Sequence, residues 1–119
     1  MQDTHVTVQE LKLLAQKFVE ERDWGQFHNP KNLSIGIALE AAELMEQFQW
    51  CSTEASYDEC LKYNEAVRHE LADVVIYALN LARVAGIDLS AAIKEKMMLN
   101  AQKYPVEKAK GKATKYTQL

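Results

Sequence analysis

The stretch Glu70-Leu71-Ala72-Asp73-Val74-Val75-Ile76-Tyr77-Ala78-Leu79-Asn80-Leu81-Ala82 decides the fold. From Val74 to Ala82 no residue is charged, and apolar side chains go all round a helical wheel. A helix with that pattern must be covered on every side. A chain of 119 residues can give it only part of that cover. The stretch therefore predicts an all-α fold, with this helix at the centre of an oligomeric bundle.

The rest of the chain reads as antiparallel neighbours joined by short loops. Helix one runs from about Thr7 to Asp23, with Val8, Leu11, Leu14, Ala15, Phe18 and Val19 at helical spacing. A loop follows, Trp24-Gly25-Gln26-Phe27-His28-Asn29-Pro30-Lys31-Asn32. Asn32 is placed to cap helix two, from Leu33 to about Trp50. After a loop at Cys51 to Ser56, the third helix runs from about Tyr57 to Ala85 and stops at Gly86. Asp88 is placed to cap a fourth, which reaches about Lys103 before Pro105. No repeat or linker divides residues 1–119, so a single domain is expected, with a basic tail over about 106–119.

Composition narrows the function. Net charge is −7 over residues 1–102 and +4 over residues 103–119. The acidic body argues against binding a nucleic-acid polymer, which needs a basic surface. The basic tail reads first as a solvated, partly mobile terminus, and second as a flap that meets phosphates. No apolar run is long enough for a membrane span, and the polar N-terminus lacks the apolar core of a signal peptide. A cytoplasmic protein is expected, without membrane contact. Cys51 and Cys60 lie in no metal or redox motif and read as reduced thiols of minor structural weight.

Four acids stand where acids are costly. On helix two, Leu33, Ile37, Leu44 and Phe48 form a stripe; Glu40 falls inside it and Glu43 at its edge, while Glu46 points away. On helix three, Glu70, Asp73 and Tyr77 flank the stripe Val67, Leu71, Val74, Ala78 and Leu81. A desolvated carboxylate needs a partner. The basic candidates, Lys31, Lys62, Arg68 and Arg83, are few for four acids. The alternative is that both pairs converge on a hard cation, Mg²⁺ or Mn²⁺, which takes an all-oxygen ligand set. A di-iron bundle would want a Glu-x-x-His spacing, which the nearby His69 does not supply, but His69 and Asp73 form a helical i, i+4 pair that keeps that alternative open. A non-enzymatic interaction module with structural acids is the remaining reading.

The segment Glu21-Arg22-Asp23-Trp24-Gly25-Gln26-Phe27-His28-Asn29-Pro30-Lys31-Asn32-Leu33 resembles dCTP pyrophosphatases, in the MazG-like group of all-α nucleoside triphosphate pyrophosphohydrolases. Glu40-Ala41-Ala42-Glu43 and Glu70-Leu71-Ala72-Asp73 look like that family's paired acidic motifs. Phe48-Gln49-Trp50, Val75-Ile76-Tyr77, Asn100 to Pro105 and Lys115-Tyr116-Thr117 also match. The loop between helices two and three looks shorter than in animal members.

The resemblance implies Mg²⁺-dependent cleavage of a nucleoside triphosphate, dCTP or a related or modified deoxynucleotide, to monophosphate and pyrophosphate. Mn²⁺ is a possible substitute. Glu40, Glu43, Glu70 and Asp73 would hold the metal and carry catalysis, with Glu40 or Glu43 as base. Trp24, His28, Trp50 and Tyr77 would contact the base, with a lesser part for Asn32 and Asn100. Lys96, Lys103 and Lys115 would meet outer phosphates. A homo-oligomer is implied, a tetramer favoured over a dimer.

Overall fold

The computed structural model describes residues 1–62 and 64–119, and among them every regular element is helical. α1 (Val8–Glu21) starts in a reciprocal cap: Glu10 N–H donates to the Thr7 hydroxyl at 3.1 Å, and Thr7 N–H donates to the Glu10 carboxylate at 2.6 Å. α2 is Pro30–Glu46 and α3 is Glu65–Ala85. α4 (Leu89–Lys103) and the single turn α5 (Val106–Ala109) complete the chain's α-helices. Residues 1–86 form one compact unit and residues 87–119 another.

In the first unit α1 and α2 both pack on α3. Its core is Ala15 and Val19 of α1, Leu33 of α2, and Val67, Leu79 and Ala82 of α3. The pairing of α2 with α3 runs antiparallel. Gln47 meets Asn64 at one end, Glu43 meets Glu70 in the middle, and Gly36 meets Tyr77 at the other. Gly86 ends α3 with φ 68°, a left-handed position that costs glycine nothing, and its N–H bonds back to Ala82 and Arg83 carbonyls.

Four expectations are corrected. Asn29, rather than Asn32, caps α2: its side chain accepts from Asn32 N–H at 2.9 Å, and Pro30 takes the first helical position, where no N–H is needed. α2 ends at Glu46, so Trp50 lies beyond it in a turn. α3 begins at Glu65, capped by Asn64, after a short 3₁₀ turn at Glu54–Ser56 and further turns; Tyr63, within the longer helix expected there, lies outside the described residues. The same turns bring Cys51 and Cys60 to a Cα separation of 6.6 Å, and the two form a disulfide rather than free thiols. Their spacing in sequence carries no sign of that fold-back.

In the second unit the Asp88 side chain accepts from Ala91 N–H at 2.9 Å and caps α4, as its position predicts. The tail touches α4 through the Tyr116 side chain. The Tyr116 ring meets Tyr104 edge-on at 5.9 Å, and the Lys103 ammonium lies 4.9 Å over it. Most of residues 106–119 are exposed, in keeping with a solvated terminus. Among the described residues no single helix is long and apolar enough to cross a membrane.

The all-round apolar stretch of α3 is only partly covered. Leu79 and Ala82 are buried, while Leu71, Val75 and Ile76 remain exposed.

Candidate active site

The site is built where α2 and α3 run side by side. Acids three residues apart on each helix share a face, and the antiparallel pairing turns the two faces together. Carboxylate oxygens of Glu40, Glu43 and Glu70 lie within 4.8 Å of one another. One oxygen each of Glu40 and Glu70 is buried without a hydrogen-bond partner. Two of the basic candidates are engaged elsewhere: Arg68 pairs with Glu65 at 3.5 Å, and the Arg83 guanidinium donates to the Asn80 carbonyl oxygen at 3.2 Å.

Crowding these acids moves their ionisation. The Glu40 carboxyl is pushed up to about 7, first by loss of water around it, then by a side-chain hydrogen bond with Glu43 and the negative charges of Glu43, Asp73 and Glu70. Glu70 is raised for the same reasons in the same order, with Glu46 among the charges acting on it. Glu46 points away from the buried stripe of α2 and still bears on this site. Three converging carboxylates with orphaned buried oxygens fit a hard divalent cation, whose charge would offset their repulsion. No histidine belongs to the cluster, and His69 is exposed. That donor set disfavours the di-iron alternative.

Beside the acids lies a cavity of about 580 Å³. Glu40 and Asp73 form part of its wall, together with Trp24, His28, Tyr77 and Asn80. Leu11, Leu14, Phe18 and Ile76 make the apolar part. The loop after α1 presents its aromatic groups by local bonding. Asp23 adopts φ 52°, and Trp24 N–H returns to the Val19 carbonyl at 3.0 Å, which lays the indole edge-on against Phe18 at 5.6 Å. The Asn32 amide donates to the Phe27 carbonyl at 3.0 Å and ties the loop to α2. His28 then stacks on Tyr77, centroids 6.4 Å apart. Burial and, second, the Arg83 charge lower the His28 pKa, so its ring is neutral near pH 7.

Of the residues singled out from the sequence, Glu40, Asp73, Trp24, His28 and Tyr77 therefore share one cavity, with Glu43 and Glu70 in the adjoining acidic cluster. Asn32 is engaged in the loop tie, and Trp50, 90% exposed, lies off the cavity wall. Asn100, half-buried, and Lys96, Lys103 and Lys115 belong to the second unit. Sequence reasoning passed over Asn80, and weighed Arg83 only as a partner for the acids. The available signal was that Asn80 and Tyr77 are the two side chains with polar atoms between Val74 and Ala82.

Fold and site together define a class: a helical protein whose facing acid pairs form a carboxylate cluster suited to a divalent cation, next to an aromatic-walled cavity. Comparison with known proteins gives the family. The model of the MazG-like family matches residues 35–119. dCTP pyrophosphatase 1 of Rattus norvegicus is 41% identical over 115 residues, covering 95% of this chain and 68% of the relative. The Homo sapiens protein of that name is 37% identical over the same shares. A crystal structure of a pyrophosphatase from Archaeoglobus fulgidus superposes with a TM-score of 0.78 at 40% identity, over 88% of this chain and 98% of that one. The chain belongs to the MazG-like family.

Proposed function

We propose that the chain is a nucleoside triphosphate pyrophosphohydrolase that cleaves dCTP or a related or modified deoxynucleotide to the monophosphate and pyrophosphate. The carrying observation is the convergence of Glu40, Glu43 and Glu70 within 4.8 Å, with two orphaned buried oxygens, beside a cavity that Glu40 and Asp73 share with the rings of Phe18, Trp24, His28 and Tyr77. The names of the relatives support the same reading.

In this reading Glu40, Glu43, Glu70 and Asp73 hold Mg²⁺, with Mn²⁺ as substitute. The ion supplies positive charge against the triphosphate oxygens. Water attacks the α-phosphorus, the bond from that phosphorus to the oxygen bridging the β-phosphate breaks, and pyrophosphate departs. Glu40 or Glu43 accepts the proton of the water. Trp24, His28 and Tyr77 give the base flat surfaces to lie on. Asn100, Lys96, Lys103 and Lys115 serve the phosphates.

The active form is a cytoplasmic homo-oligomer, a tetramer rather than a dimer. Exposed Ile35, Leu39, Ala42 and Met45 line one face of α2, opposite the stripe that packs on α3. Water otherwise meets that face and the open side of α3. Trp50 reaches substrate in the assembly.

The test is a panel of common and modified nucleoside triphosphates with Mg²⁺, each product resolved by chromatography. Monophosphate and pyrophosphate in equal amounts are expected. Orthophosphate with a diphosphate, or no turnover on any triphosphate, would overturn the reading.

A further inference from the structure

Asn80 is a buried amide, 3% exposed, in the wall of the cavity. It lies seven residues beyond Asp73 on α3, with Tyr77 between them. Seven residues are close to two turns, so all three side chains leave the same side of the helix, and Asn80 is about 10 Å along the axis from Asp73. An acid, an aromatic ring and an amide thus follow one another along a single wall. A nucleotide has its phosphates at one end and its base at the other, so the acid suits the phosphate end and Tyr77 with Asn80 the base end.

Arg83 decides which end of the amide is on offer. A guanidinium can only donate, so the Asn80 atom that Arg83 Nη2 meets at 3.2 Å is the carbonyl oxygen. The NH₂ group is left as the other end. Arg83 has no carboxylate partner among the described salt bridges, and its Nε is buried and unbonded. Its role here is to hold Asn80, not to neutralise an acid. Apart from Trp24, His28, Glu40, Asp73, Tyr77 and Asn80, the cavity lining is hydrocarbon. A polar base edge entering that region has few groups to bond, and one unmet hydrogen bond there is costly.

We propose that Asn80, fixed by Arg83, is a specificity-determining residue that donates from its NH₂ to an acceptor on the base edge. A ring nitrogen carrying a lone pair, as N3 of a cytosine-type base, is matched. A ring N–H at that place, as in uracil or thymine, is mismatched donor to donor. This rests on the reading of the cavity as a nucleotide site; Asn80 adds base selection to it.

The test compares kcat/KM for dCTP and dUTP in wild type, Asn80→Asp and Asn80→Ala, with inhibition by inorganic tripolyphosphate as a base-free control. Asn80→Asp keeps a partner for Arg83 and turns the donor into an acceptor. The dCTP-to-dUTP ratio should fall about tenfold or more, through KM, and tripolyphosphate inhibition should not change. Asn80→Ala should lower the ratio by loss on dCTP without gain on dUTP. Arg83→Met frees the amide to flip and should also flatten the ratio.

Active Asn80 variants that both keep the wild-type ratio overturn the proposal. So does a loss shared equally by both nucleotides and tripolyphosphate, which would make Asn80 a packing residue. Wild type that turns over no triphosphate removes the functional reading itself, and the role of Asn80 with it.

Discussion

The Tyr77 ring of α3 packs against Gly36 of α2, so close that a Cβ built on the glycine runs into it. Gly36 is buried in the middle of α2, where glycine weakens a helix relative to alanine. The close approach explains why it is there. It lets the ring that stacks on His28 stand in the wall of the cavity that α1 and α3 line with Glu40 of α2. Gly36→Ala should gain helix propensity and still lose about 1–3 kcal/mol through overpacking. It should also raise KM for nucleotide by displacing Tyr77. Thermal melts and kinetics of Gly36→Ala, Tyr77→Leu and the double variant test this. The double variant should lose clearly less stability than the two single losses added.

Neutralising an acid of the cluster separates a metal site from a structural ion pair. Glu40→Gln and Glu70→Gln relieve repulsion in the metal-free protein, so Tm in EDTA should stay level or rise. Turnover in Mg²⁺ should drop by about 100-fold or more, the scale on which a positioned base or its electrostatics acts. A variant that melts lower in EDTA and turns over normally would show the acids to be structural.

The raised Glu40 carboxyl gives a pH signature. Its folded value, about 7, lies above the ordinary 4.5, so between those values the folded state holds more proton than the unfolded state. Stability of the metal-free protein therefore falls as pH rises across that window, and the loss is complete above it. Glu70 is raised in the same direction and adds to the slope. Melting in EDTA from pH 5 to pH 8 should show the decline. Saturating Mg²⁺ should flatten it by offsetting the cluster's charge. A metal-free curve that rises with pH over this range would contradict the crowding of these acids.

The uncovered face of α2 predicts self-association. Leu39, 60% exposed, lies midway along the stripe Ile35, Leu39, Ala42 and Met45. Leu39→Glu should leave helix content unchanged and shift sedimentation toward the monomer. If wild type already sediments as a monomer at micromolar concentration, the oligomeric reading fails.

What could be read from the chain by itself is what depends on near neighbours. Helical periodicity, the stops at Gly86 and Pro105, and the Asp88 cap are set within a few residues, and the structure has them in place. The acid pairs Glu40 with Glu43 and Glu70 with Asp73 were equally legible, because spacing of three puts both members on one helical face. Local rules failed where two candidates competed. Asn29 and Asn32 both suit a cap, and Pro30, fitted to the first helical position, favours the earlier one.

Tertiary structure alone decided the rest, because those relations are distances through space between residues far apart in the chain. The antiparallel register of α2 on α3 brings Glu43 to Glu70 and Tyr77 to Gly36. The fold-back after α2 joins Cys51 to Cys60. Packing turned Asn80 from one polar residue in an apolar run into the buried amide of a cavity wall, held by Arg83 one turn away. Helical spacing permitted that bond, but only the surrounding helices could desolvate the amide, and desolvation makes an unmet hydrogen bond there costly.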